Sequence, residues 1–196
     1  PGEAPEITVN TTGDDTWRGS DPGAVYDVDV TTPSGQLDTG RYRVWSQSGQ
    51  TGDLLKDWTV FFGPDYGAAS YTDDFAIDFA TLQEGTNYVT IDANNTGGHS
   101  SVEEDAFYVQ KDTSEPTFAG ADGIIGCGPG CLLVYWDAGA DALSGLQDYR
   151  VYANTSSGFT PGPANHIKDV AAGTLSTMIT GLSDGVEQHV IVRARD

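Results

Sequence analysis

An all-β fold in two successive sandwich units is what this sequence predicts, and three observations predict it. The 196 residues include 25 glycines and 9 prolines but only three lysines, seven glutamates and one methionine, so helix formers are scarce and turn residues abundant. Valine, threonine, tyrosine and phenylalanine gather in short runs of alternating polarity, the period-two mark of a strand with one buried face. The length suits two domains of about 100 residues, and a polar stretch, KDTSEPT, breaks the pattern from Lys111 to Thr117. The expected division is therefore a first sandwich over 1–112, a linker over 113–117 and a second sandwich over 118–196. Trp17, Trp45, Trp58 and Trp136 are expected to help fill two small cores.

The first unit reads as seven strands. Glu6 to Asn10 opens it. Ala24 to Thr32 places Tyr26, Val28 and Val30 on one face and Asp27 and Asp29 on the other, as a half-buried antiparallel strand requires. Arg41 to Ser46 sets Tyr42 and Val44 against Arg41, Arg43 and Trp45. Asp57 to Phe62, Asp74 to Thr81, Asn87 to Ala93 and Ala106 to Lys111 complete the set, with turns at Pro33-Ser34-Gly35, Gly63-Pro64-Asp65 and Gly97-Gly98.

The second unit reads as six strands, one fewer than a seven-stranded sandwich. They are an opening strand around Thr117 to Ile125, then Leu132 to Trp136, Tyr149 to Tyr152, His166 to Val170, Ser176 to Thr180 and His189 to Arg195. The expectation is a second sandwich lacking its last strand, with an open edge beside the segment ending Arg193-Ala194-Arg195 that is filled either by a continuation of the same chain or by a donated strand.

Certain residues add a resemblance. Leu82-Gln83-Glu84-Gly85-Thr86-Asn87-Tyr88 resembles the L-x-x-G-T-x-Y corner of fibronectin type III and related sandwiches, and Trp17, Ser20-Asp21-Pro22 and the closing DTSEP are similar to bacterial and archaeal immunoglobulin-like surface repeats. In such a corner the leucine packs inward, the glycine turns the chain and the tyrosine hydroxyl bonds back to the backbone. The second unit resembles fibronectin type III through Leu133-Val134-Tyr135-Trp136, Tyr149-Arg150-Val151-Tyr152 and Val190-Ile191-Val192-Arg193-Ala194-Arg195, with Gln188 at its corner position. The resemblance implies tandem immunoglobulin-like and fibronectin type III sandwiches and says little about function, because this fold hosts unrelated activities.

Charge narrows the function classes. There are 29 acidic against 9 basic side chains, a formal charge of −20, and 21 of the acidic ones precede Pro116. That field repels phosphate backbones, so nucleic acid is not an expected partner. No apolar run approaches the ~20 residues of a spanning helix, so no membrane span is expected. The chain begins Pro1-Gly2-Glu3 rather than with methionine, which suits a processed or excised piece and is compatible with a removed export signal.

Two readings stand for the acidic residues: a solvated surface, or oxygen-rich loops holding calcium, which takes six to eight oxygen ligands. Acids gather at Asp14-Asp15, Asp73-Asp74, Glu103-Glu104-Asp105 and Asp112, and the calcium candidates are Asp92, Asn94 and Glu104, with Asp137 and Asp141. His99, His166 and His189 lie far apart with no metal-ligand partner at short spacing, and no G-x-S-x-G elbow accompanies them, so no catalytic residues are assigned and the chain is not expected to be an enzyme. Asn10, Asn94 and Asn154 head N-x-[ST] sequons, acceptors only in a glycosylating host.

The two cysteines lie in Cys127-Gly128-Pro129-Gly130-Cys131. A Gly-Pro-Gly interior folds the chain back sharply, so a local disulfide in an oxidising compartment is expected, and with it an extracellular or cell-surface location. The leading functional reading is a structural or adhesive segment bound to neighbouring domains of its own chain. One alternative is a self-assembling filament subunit in which copies complete each other, Ile7 and Val9 of the opening strand being donated to the open edge. Another is a carbohydrate-binding accessory module of a secreted hydrolase, with Trp45, Trp58, Phe61 and Tyr66 as a stacking platform for polysaccharide. The same aromatics would otherwise cover the open sheet.

Overall fold

The computed structural model describes residues 2–11 and 15–196. The chain divides into two compact units, Pro1–Thr113 and Ser114–Asp196, each with its own apolar core. Among the described residues the regular structure is strand, interrupted only by single 3-10 turns at Phe79–Thr81 and Pro163–Asn165.

In the first unit, β1 (Glu6–Val9), β3 (Val28–Thr31) and β6 (Ser70–Tyr71) form one sheet in the order β1-β3-β6. The facing sheet has the order β2-β8-β7-β4-β5, from β2 (Trp17–Arg18), β4 (Leu37–Gln47), β5 (Thr51–Phe62), β7 (Gly85–Asn95) and β8 (Ser100–Lys111). Alternation sets which side chains meet between the sheets. Tyr26, Val28 and Val30 come from one side, and Tyr42, Val44, Val89, Ile91 and Ala93 from the other, all at most 2% exposed. Each aliphatic side chain removed from water in this way contributes roughly 1.5–3 kcal/mol before entropy is counted.

The expected strand at Asp74 to Thr81 does not form. Phe75, Ile77 and Phe79 do alternate inward, but the backbone meets a neighbour only at the Tyr26–Phe75 bridge and then tightens into the 3-10 turn. Side-chain anchoring replaces the ladder there. The two-residue strand β2, parallel to β8, is too short to show a period in the sequence.

The corner before β7 also differs from its expected form. Leu82 packs inward at 4% exposure and Gly85 takes a left-handed φ of 98°, but the closing bonds come from Asn87, which is fully buried. Its side-chain oxygen accepts from the Gln83 N–H (3.0 Å), and its amide donates to the carbonyls of Gln83, Gly85 and Val109 at 2.9–3.2 Å. Tyr88 points to the other side of the sheet, against Tyr108. A one-residue step exchanges inward for outward in a strand, so the amide takes the place the resemblance gave to a hydroxyl.

In the second unit, β9 (Gly123–Gly128), β10 (Cys131–Tyr135) and β13 (Ser176–Ile179) form a sheet of order β13-β10-β9. It is matched by β12-β11-β14, from β11 (Asp148–Asn154), β12 (His166–Ala171) and β14 (His189–Arg195). The opening strand lies at Gly123–Gly128 rather than around Thr117, which makes a lone bridge to Ala140. Val134, Trp136, Tyr149, Val151, Ile179 and Val192 fill the core. Of the four tryptophans only Trp136 belongs to a core; its ring lies 5.3 Å from that of Tyr149. The Tyr149 hydroxyl accepts the Gly139 N–H at 2.8 Å, as the Tyr42 hydroxyl accepts that of Asp78 at 2.9 Å in the first unit.

Replacing Asn87 by alanine strands one N–H and three carbonyls in or near the core. It is expected to lower the stability of the first unit by roughly 2–4 kcal/mol, while Tyr88→Phe costs less than about 1 kcal/mol. Urea unfolding of the two variants checks the assignment, and a larger loss for Tyr88→Phe would reverse it.

Candidate functional site

The outer side of the five-stranded sheet carries the densest polar and aromatic grouping. Alternation turns Arg41, Arg43 and Trp45 of β4 outward, beside Tyr88, Thr90, Asp92 and Asn94 of β7. The Trp58 ring has the Arg43 guanidinium 4.5 Å from its centroid and that of Arg41 at 5.0 Å, and Arg43 also lies 5.3 Å from Trp45. Arg41 Nε reaches Asp92 Oδ2 at 2.6 Å, with Asp92 only 6% exposed at its side chain. The β4–β5 turn bends across this side, where the Gly49 N–H donates to Asp105 on β8 at 2.7 Å. Thr90 beneath is fully buried. Chemically this is a stack of cations on indole faces, whose attraction is electrostatic. The sequence hides it, because the turn that covers the face comes from a bent hairpin with several register shifts.

The four aromatics read as one platform fall on different sides. Trp45 and Trp58 belong to this outer stack. Phe61 lies against Phe75, with centroids 4.4 Å apart, and Tyr66 against Phe62 at 4.9 Å, and both pack on the core.

The calcium candidates are divided between the two units. Asp92 is engaged by Arg41. Asn94 shares its face, and its amide donates to Asp38 Oδ2 at 2.9 Å. Glu104 is exposed on β8, and Asp137 is exposed after β10. Asp141 Oδ1 accepts the N–H groups of Leu143 and Gly145 at 3.0 and 2.9 Å, closing its own loop. Asp15 accepts the Tyr108 hydroxyl at 2.6 Å; Asp14 lies outside the described residues.

Among the sequons, Asn10 donates to Asp27 and Asp29 at 3.2 and 2.7 Å and is exposed, while Asn154 accepts the Ser156 N–H at 2.9 Å. Of the histidines, His166 Nε2 meets Asp169 at 2.8 Å and His189 lies 3.8 Å from Glu187. Cys127 and Cys131 form a disulfide across the β9–β10 turn, with Cα atoms 5.2 Å apart.

Ile7 and Val9, expected as a donated strand, sit in β1. All four β1 residues pair with β3, and both side chains pack on the core of their own unit. The donor role therefore lacks a free strand, because β1 would have to leave its own sheet to serve another. β14 pairs with β11 along one side, and among the described residues no strand lies along its other side.

Charge pairing acts on few groups. The Asp148 carboxyl lies below its ordinary value because Arg195 donates to it through Nε and Nη2. Asp38 is lowered by the Asp65 N–H and the Asn94 amide.

Both units are β-sandwiches of the immunoglobulin and fibronectin type III kind, on their own strand orders. No family model matches the chain, and no curated protein matches it. Among solved structures it is similar to the crystal structure of chicken CNTN1 FN1-FN3 domains, with 14% identity and a TM-score of 0.46. That match covers 100% of this chain and 63% of the other, so the chain spans less than two thirds of that length.

Two expectations follow. Asp148 has a lowered folded value, so its contribution is present above the unfolded value of 3.8 and disappears as pH falls through the folded value. Melting of the second unit should drop below about pH 4, and Asp148→Asn should start lower at pH 6 and fall less steeply. Replacing both cysteines by serine should cost the second unit about 2 kcal/mol or less, because the closed loop is short, and denaturant melts should show the first unit unmoved.

Proposed function

We propose that this chain is a non-catalytic structural or adhesive segment of an extracellular or cell-surface protein. The observation that carries the reading is its modular build. Two separately cored sandwiches follow one another in one chain, and in the first of them buried polar side chains hold backbone in place. Asn87 closes the corner before β7, and Asn95 ties the β7–β8 turn to Glu3 and Thr32. The acidic surface keeps such a segment soluble and apart from its copies, and the disulfide at an exposed turn suits an oxidising surrounding.

The test is immunogold labelling of intact cells from the native source, paired with thiol alkylation of the isolated protein. Surface label with Cys127 and Cys131 unavailable to alkylation supports the reading. Label confined to the interior with both thiols free overturns it.

A further inference from the structure

We propose that Asn154 is a glycosylation site, which takes an N-linked oligosaccharide from a polyprenyl-phosphate-linked donor, while Asn10 and Asn94 are passed over. The inference rests on the extracellular reading, because such donors meet a chain during its export.

Three of the six asparagines head N-x-[ST] sequons, and the fold treats them differently. Asn154 is the last residue of β11, and Thr155, Ser156, Ser157 and Gly158 after it are all exposed. The Ser156 N–H donates to Asn154 Oδ1 at 2.9 Å, an Asx-turn that bends the sequon back on itself. Nothing else among the described residues bonds the Asn154 side chain, and its nitrogen is not buried. The turn thus brings Ser156, whose hydroxyl the sequon requires, up to a free amide on the outside of the unit.

At the other two sequons the amide is already engaged. Asn10 donates to Asp27 and Asp29 at 3.2 and 2.7 Å. Asn94 lies inside β7, paired with Thr39 of β4 and Ser100 of β8, and its amide donates to Asp38 at 2.9 Å. The Thr96 N–H, which an Asx-turn at Asn94 would need, donates instead to the Gln36 carbonyl at 2.8 Å.

Charge separates the sites in the same order. A phosphate-linked donor is anionic, and carboxylates beside the acceptor repel it. Asp27 and Asp29 flank Asn10, and Asp38 flanks Asn94. Residues 154–165 carry no charged side chain.

The transfer is a substitution at C1 of the donor's first sugar, carried out by a transferase that binds donor and sequon together. The bond from Asn154 Nδ2 to C1 forms as the bond from C1 to the phosphate oxygen breaks. The phosphate leaves with that electron pair, and one Nδ2 proton passes to a base of the transferase. Donation by the Ser156 N–H draws electron density towards Oδ1 and makes that proton easier to lose.

Trypsin separates the three sequons into the peptides Pro1–Arg18, Asp57–Lys111 and Val151–Lys168. Mass spectrometry of these peptides from native-source protein, run beside the surface labelling, tests the inference. A sugar mass is expected on Val151–Lys168 at about ten-fold or more the occupancy of the other two. Ser156→Ala, expressed in the same source, should lose that mass entirely. Its melting temperature should not move, because the fold uses only the backbone N–H of Ser156. An unmodified Val151–Lys168 peptide from surface-labelled protein overturns the inference and leaves the extracellular reading standing. The same peptide unmodified, with label confined to the interior, overturns both. Equal or greater occupancy at Asn10 or Asn94 overturns the choice of site. Sugar retained in Ser156→Ala is attached independently of the sequon and overturns the inference as well.

Discussion

The first unit depends on how its central strand ends. Along β7 the inward positions are Asn87, Val89, Ile91, Ala93 and Asn95, three apolar side chains between two buried asparagines. The apolar middle holds the sheets together, but at each end the chain must turn while still out of water, where an unpaired N–H or carbonyl costs about 1–3 kcal/mol. The two amides meet that demand. Asn87 gathers the corner before the strand and the neighbouring backbone of β8. Asn95 accepts from Gly97 and His99 while donating to Glu3 and Thr32. The same two residues thus fix both turns, the opening segment and the register of β8.

Much of this was legible in the sequence, and the exceptions share a cause. Tyr26-Val28-Val30 and Tyr42-Val44 announced their inward faces, because period two follows directly from strand geometry. The fold class and the turn at the cysteines were legible in the same way. What stayed hidden depended on contacts between distant segments. The stretch from Asp74 to Thr81 alternates like a strand, but whether it finds a ladder depends on how β3 and β6 are placed. Asn87 reads as an ordinary turn residue until the carbonyl of Val109 is seen beside it. The calcium candidates were chosen by residue type, and type alone cannot reveal that Arg41 lies against Asp92 or that Asn94 donates to Asp38.

The nine basic residues are few, and several are closely engaged. Arg41 and Arg43 lie over indole rings, Arg41 also neutralises the most buried carboxylate of the outer face, Lys56 meets Asp78 at 2.6 Å and Arg195 clasps Asp148. In a chain of net charge −20, cations placed on aromatic and carboxylate partners hold their own neighbourhoods together. Among the described residues most of the other acids reach water, where repulsion between exposed charges is weakened by salt.

The cysteine clip closes a sequence separation of only four residues, with Cα atoms 5.2 Å apart. Fully drawn out, four residues span about 14 Å, so the bridge withholds only about 9 Å of chain from a pulling force. Whether oxidised or reduced, the second unit would lengthen by nearly the same amount once its sheets part. The bond therefore guards the shape of one hairpin without shortening the tether that the unfolded segment can become.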